Sequence, residues 1–174
     1  MSKVFFVSDT HFNHKNILTY EPIRKEILGV ETVEQMDEKL IKNWNSIVSN
    51  DDTVWFLGDF AMGSREHVIE LGHKLKGHKN MIKGNHDLFP DQVYLDAGFE
   101  RVSRYPVLLK GEFILSHAPL ANKNIGDLIN IFGHVHSKGE FDESHFICVC
   151  VERTGGKPIT LPVFDNEAVC RWRG

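Results

Sequence analysis

The chain has 174 residues, 41% hydrophobic and 25% charged, which is enough to bury one core without disulfide staples. Its formal net charge is −4, with 20 Lys and Arg against 24 Asp and Glu. That balance excludes a stable coat on nucleic acid through phosphate neutralisation, but not an enzyme that touches a nucleotide or oligonucleotide briefly. No apolar run reaches the about 18 residues of a membrane span, and Met1-Ser2-Lys3-Val4 leads straight into a strand pattern. A single cytoplasmic domain over residues 1–174 is expected, with no signal peptide. Cys148, Cys150 and Cys170 read as reduced thiols; the first two share one face of a strand-like run, where a bridge is awkward.

In chain order, Val4-Phe5-Phe6-Val7 is a continuous run of β-formers and reads as a buried central strand. It ends in Asp9-Thr10-His11, a carboxylate and an imidazole that can converge on one ion. Residues 12–31 show no clear period and read as a loop or short-helix insertion. Within it His14 and Asn16 either reach substrate or fix the loop through their own hydrogen bonds. Thr32 and Gln35 have the form of a capping box, and Val33, Met36, Leu40, Trp44 and Ile47 recur at helical spacing to about residue 48. Asn50-Asp51-Asp52 reads as a solvated turn.

Residues 53–57 form a second buried strand that ends in Gly58-Asp59, an acid on a strand tip. Ser64 caps a helix carrying Val68, Leu71 and Leu75, with Gly77 as its stop. His67 and His73 on that helix read as surface residues, and His78 as structural. Residues 80–83 form a third strand, followed by Gly84-Asn85-His86-Asp87. Asn85 can ligate through its amide oxygen, while His86 should point elsewhere, toward substrate, with Asp87 holding its tautomer. Pro90 opens a helix to about Ala97.

The rhythm then changes. Residues 101–105, 107–110 and 112–115 read as short strands, and this half is expected to be antiparallel. Ser116-His117 and Gly133-His134-Val135-His136 repeat the strand-end pattern. The two histidines of the latter can hold one ion when extended, or serve two around a turn. Residues 145–151 and 158–163 close the fold, with Gly155-Gly156 as their turn.

Collected, Asp9, His11, Asp59, Asn85, His117, His134 and His136 are the candidate metal ligands, from five separate strand ends. Mixed nitrogen and oxygen donors suit Mn, Fe, Ni or Zn better than Ca or Mg. The set exceeds what one zinc-like ion takes, and two ions sharing Asp59 use it fully. Two cations about 3.5–4 Å apart clamp the attacking and leaving oxygens of an in-line displacement and acidify a bridging water. That chemistry fits phosphate-ester hydrolysis, with His86 placed to protonate the leaving alkoxide.

The five blocks, in order, resemble the motifs of the calcineurin-like metallophosphoesterases, and the match runs from Val4 to about His136. The loop from Asp9 to Asn16 further resembles small bacterial and phage phosphoesterases. The resemblance implies an α/β fold, a four-layer αββα sandwich with two central mixed sheets. It implies a first metal site of Asp9, His11, Asp59 and His136, and a second of Asp59, Asn85, His117 and His134. It also implies that His86 contacts phosphate and acts as the acid, with Asp87 behind it.

The expected activity is hydrolysis of phosphodiesters or phosphomonoesters of a nucleotide or oligonucleotide, with Mn the favoured ion in vitro. A hydrolase of nucleoside or lipid-linked diphosphates is a competing reading within the enzyme class. A non-catalytic scaffold of the same fold competes from outside it, but such a chain would be free to lose ligands, and here every position is filled. Lys15, Arg24, Lys25, Lys123 and Asn124 are either phosphate contacts or solvated surface residues. Oligomeric state leaves no mark on the sequence.

Overall fold

The computed structural model of the chain describes residues 2–162, without the side chains of Asn122 and Lys123. The expected contact of Lys123, the end of the last strand at Val163 and the thiol of Cys170 therefore lie outside what is described.

Among the described residues, eight strands form two sheets of four. The first sheet contains β1 (Val4–Val7), β2 (Thr53–Phe56), β3 (His78–Ile82) and β4 (Phe99–Ser103), in that spatial order. The second contains β5 (Val107–Leu109), β6 (Phe113–Leu115), β7 (Ile129–Phe132) and β8 (Phe146–Cys148). Side chains on a strand alternate between faces, so each apolar run feeds two cores at once. Phe5, Val7, Val54 and Phe56 point toward helices α1 (Ile17–Tyr20), α2 (Ile23–Leu28), α3 (Val33–Ile47), α4 (Arg65–Lys74) and α5 (Asp91–Asp96). Phe6, Trp55, Leu57 and Ile82 point the other way, onto Leu109, Phe113, Leu115, Ile131 and Val149 of the second sheet.

The outer face of the second sheet is covered by less. Phe132 and Phe146 pack with Ile125 of the single-turn helix α6 (Asn122–Ile125) and with loop residues Leu120, Val135 and Phe141. The four layers are present, but the fourth is one helical turn and loops.

Helix α3 begins as its sequence predicts. The Thr32 hydroxyl accepts the Gln35 N–H at 3.3 Å, and the Gln35 amide oxygen accepts the Thr32 N–H at 3.4 Å. Trp44 is buried and donates its indole N–H to the Lys76 carbonyl at 2.9 Å, so it is a core residue. Asp52 departs from expectation. It is buried rather than solvated, accepting the backbone N–H groups of Lys3 and Ser49 at 2.7 Å each, and so ties the start of β1 to the turn before β2.

The second half is not the antiparallel unit expected. Strand β4 joins the first sheet, parallel to β3, because α5 intervenes as a crossover and returns the chain in the same direction. Among the named strands of the described residues only β5 and β6 pair antiparallel, as a hairpin. Strands β6, β7 and β8 run parallel, joined by α6 with its flanking loops and by residues 133–145, connections long enough to cross over. Both sheets are mixed, the first through an antiparallel bridge between Phe6 of β1 and Ile159 and the second through the β5–β6 hairpin. After β8 the chain returns to β1: the Ser8 N–H bonds the Val149 carbonyl at 3.0 Å, and the Phe6 N–H bonds the Ile159 carbonyl at 2.8 Å. This seam brings the C-terminal strand ends of both sheets to one place.

Candidate metal centre

Every sequence-predicted ligand follows the C-terminal end of a parallel strand: Asp9 and His11 after β1, Asp59 after β2, Asn85 after β3, His117 after β6, and His134 and His136 after β7. Open α/β sheets gather ligands at that edge. The chain must turn sharply there, and five of these residues take the left-handed conformation: Asp9 (φ 58°), His11 (47°), Asp59 (60°), His134 (72°) and His136 (54°). Such backbone costs of order 1 kcal/mol or more at each non-glycine residue and persists where the surroundings impose it. Two glycines make the crowding possible. A Cβ on Gly84 would collide with Asp59 Oδ1, and one on Gly133 with Asp9 Oδ2 and Ser8.

The side chains fall into two groups. Asp9, His11 and His136 each offer one donor atom, and these lie within 4.8 Å of one another. Asp9 divides its two oxygens. Oδ2 accepts the His134 N–H at 2.8 Å and the Cys150 thiol at 3.3 Å. Oδ1 is buried without a hydrogen-bond partner and lies 3.9 Å from His11 Nε2 and 3.8 Å from His136 Nε2. Both ring nitrogens of His11 are likewise buried and unpartnered. Orphaned buried polar atoms of this kind are costly unless something binds them, and Asp9 Oδ1 and His11 Nε2, gathered with His136 Nε2, fit a cation. Burial, followed by the charges of Arg24 and His136, pulls the His11 pKa down to about 2, so the ring is a neutral ligand. Burial pushes the Asp9 carboxyl up against the pull of His117 and His136, the desolvation that a bound cation would offset.

Asp59, His117 and His134 form the second group, again with donors within 4.8 Å. Asn85 joins them: its Oδ1 lies 3.0 Å from both His117 Nε2 and His134 Nδ1. His117 Nδ1 donates to the Leu57 carbonyl at 2.8 Å, which leaves Nε2 with its lone pair facing the group. Asp59 stands between the two groups. Its Oδ2 is 3.4 Å from His11 Nε2 on one side and 3.5 Å from His117 Nε2 on the other. Its Oδ1 is occupied by the His86 N–H at 2.8 Å.

The remaining predicted residues fare differently. His86 is exposed at the rim, its ring centroid 5.3 Å from that of His11. Asp87 is not behind it. Its carboxylate accepts the backbone N–H groups of Asp59 at 2.7 Å, Phe60 at 3.0 Å and Gly84 at 2.7 Å, so it clasps the strand tip that carries Asp59. Proximity in sequence suggested His86, but three unsatisfied backbone donors won the carboxylate. His14 is half-buried beside His11, with ring centroids 5.6 Å apart, and its Nδ1 accepts the Asn16 N–H at 3.3 Å. The Asn16 side chain makes no cap bond at the start of α1.

Arg24 is neither a substrate contact nor a surface charge. It is 1% exposed and donates to the carbonyls of Asp9 at 2.6 Å and Thr10 at 2.9 Å and to Glu152 Oε1 at 2.7 Å. Glu152 escaped the sequence reading. Its Oε1 also accepts from His136 Nδ1 at 2.8 Å, turning Nε2 toward Asp9. Burial pulls the His136 pKa down, but the Glu152 bond and charge outweigh it and hold the pKa above its ordinary value. The available signal was an acid two residues past Cys150, at the end of the closing strand.

A family model described as calcineurin-like phosphoesterase matches residues 2–149. The chain is 35% identical over 173 residues to the uncharacterized protein MJ1445 of Methanocaldococcus jannaschii, covering 92% of this chain and 88% of that one. It is 32% identical over 170 residues to the gene 66 protein of Mycobacterium phage L5, covering 79% of each. In three dimensions it is similar to AQ665 of Aquifex aeolicus, a protein of unknown function, with a TM-score of 0.70 and 25% identity over 92% of this chain and 96% of that one. The motifs read from the strand ends, the paired sheets and the extent of these matches agree: the chain belongs to the calcineurin-like phosphoesterases.

Proposed function

We propose that this protein is a single-domain phosphoesterase that uses two divalent transition-metal ions to hydrolyse phosphodiester or phosphomonoester bonds of a nucleotide or oligonucleotide. The observation that carries the reading is Asp59 Oδ2, one carboxylate oxygen within 3.5 Å of a histidine nitrogen from each ligand group. Asp9, His11, Asp59 and His136 would hold one ion, and Asp59, Asn85, His117 and His134 the other. Bound there, such ions supply the Lewis acidity that generates a nucleophile from water and neutralises phosphoryl charge. The donor set of imidazoles, carboxylates and one amide favours Mn, Fe, Ni or Zn, with Mn the ion of choice in vitro.

The chain's own residues do the rest. His86 acts as general acid, protonating the leaving oxygen through a ring nitrogen. Its place is set by the bond from its N–H to Asp59 Oδ1, so the shared carboxylate also positions the acid. His14 accepts at Nδ1, which puts its proton on Nε2, where it can donate to a phosphate oxygen. Asp87 does not take part in proton transfer; it fixes the backbone of Asp59 and Gly84.

Metal-free protein given Mn should hydrolyse bis-p-nitrophenyl phosphate or the corresponding monoester, and no turnover with Mn, Fe, Ni or Zn overturns the reading. His86→Gln should lower kcat by about 10²–10⁴-fold while both ions remain bound. Loss of metal in that variant makes His86 a ligand instead of the acid.

A further inference from the structure

Tyr20 is a large aromatic side chain left 62% exposed beside the metal centre. It closes helix α1, whose Ile17 and Leu18 are buried in the core beneath it, so its backbone is anchored. Its ring meets the His14 ring edge to face, centroids 5.9 Å apart, and His14 in turn meets the metal-ligand candidate His11 at 5.6 Å. A second brace comes from the other side of the centre. Glu21, the next residue, is buried and accepts the Ser137 hydroxyl at 2.8 Å, tying the end of α1 to the loop that follows His136. Lys138 reaches the same carboxylate at 3.6 Å while its side chain remains 78% exposed.

The centre is therefore flanked by a solvent-facing aromatic ring on an anchored backbone, next in sequence to a carboxylate that pairs with Lys138. Tyr20 thus stands two ring contacts, of 5.6 and 5.9 Å, away from His11 at the edge of the centre. An exposed aromatic face gains from stacking on any nucleobase, independent of base identity. A net charge of −4 supplies no general attraction for phosphate, and a one-base shelf requires none.

We propose that Tyr20, braced by His14, stacks the base of the nucleotide unit adjoining the scissile phosphate and so gives the enzyme a preference for nucleotidyl esters over esters without a base. The proposal rests on the phosphoesterase reading above. Tyr20 sets specificity and takes no part in the chemical step.

Two diesters separate the possibilities: the p-nitrophenyl ester of thymidine 5′-phosphate, and the same ester of the abasic deoxyribose 5-phosphate. Wild-type enzyme loaded with Mn should show a kcat/KM about 5- to 100-fold higher for the thymidine ester, the range expected of one base–aromatic stack. Tyr20→Ala should bring that ratio toward one, and Tyr20→Trp should keep it. A ratio near one in wild type, an unchanged ratio in Tyr20→Ala, or a higher kcat/KM on a phosphotyrosyl peptide than on the thymidine ester overturns the proposal. Hydrolysis of none of these with any of the four metals overturns the phosphoesterase reading itself, and this inference with it.

Discussion

The two ligand groups of the centre are built on different physical plans. In the first, Asp9 and His11 are buried, and His136 is backed by Glu152, itself paired with the fully buried Arg24. Arg24 also grips the carbonyls of Asp9 and Thr10, so one guanidinium reaches the backbone that carries two of the ligands and the carboxylate that orients the third. In the second group His134 and Asn85 are exposed, and His117 is oriented by the main-chain carbonyl of Leu57. A deep site stiffened by charged partners should hold its ion more firmly than a shallow one oriented by a single neutral acceptor. The difference teaches that a bridged pair need not be symmetric in affinity even where each ion would have four protein donors. It also predicts that a chelator strips the second position first.

Asp59 is the element common to both plans, so changing it should have the largest effect. Asp59→Asn keeps the shape but removes the charge of the shared oxygen. Metal analysis should show reduced occupancy at both positions, and activity should fall by more than the about 10- to 100-fold that losing an outer partner costs. Two ions retained at wild-type affinity would remove Asp59 from between the sites.

Glu152 tests the asymmetry directly. Glu152→Gln leaves His136 without its carboxylate and Arg24 without its counter-charge. Titration calorimetry with Mn should show the tighter of two binding events weakened by about 10- to 100-fold and the weaker one unchanged. Equal weakening of both events would mean that the two groups are one rigid unit and that the contrast drawn between them is wrong.

The gathering of the candidate ligands at one edge was legible because metal chemistry restricts residue type and the fold restricts position. Asp9, Asp59, Asn85, His117 and His134 all stand two or three residues beyond a strand of β-formers, where polar donors repeat. What supports the ligands was not legible. Arg24 lies in a stretch without periodicity, and its burial depends on Glu152, 128 positions away. Asp87 was assigned by adjacency, when the strand tip across from it offered three backbone donors. Strand β4 was misplaced because α5, at six residues, is too short to announce a parallel crossover by its pattern. In each case the missing information is a long-range partner, which a local period does not carry.

Asp37 supplies the smallest and most specific test of how the first group is supported. It lies on α3 and accepts the Asn13 N–H at 2.8 Å, holding the loop between His11 and His14, while its other oxygen is buried without a partner. Burial, only partly countered by the Asn13 bond, raises its pKa to about 7. The folded protein therefore binds the extra proton more tightly than the unfolded chain. Stability from this group is complete below the unfolded value near 3.8 and is lost as pH rises toward 7. For a half-buried side chain, screened by solvent, that loss amounts to about 1 kcal/mol, or about 2–4 °C in Tm. Asp37→Asn keeps an acceptor for Asn13 but cannot ionise, so metal-free variant should lose less Tm between pH 5 and 8 than metal-free wild type by that margin. Parallel Tm profiles would mean that the carboxylate does not titrate in this range, and that the loop carrying His11 is as indifferent to pH as the Leu57 carbonyl that orients His117.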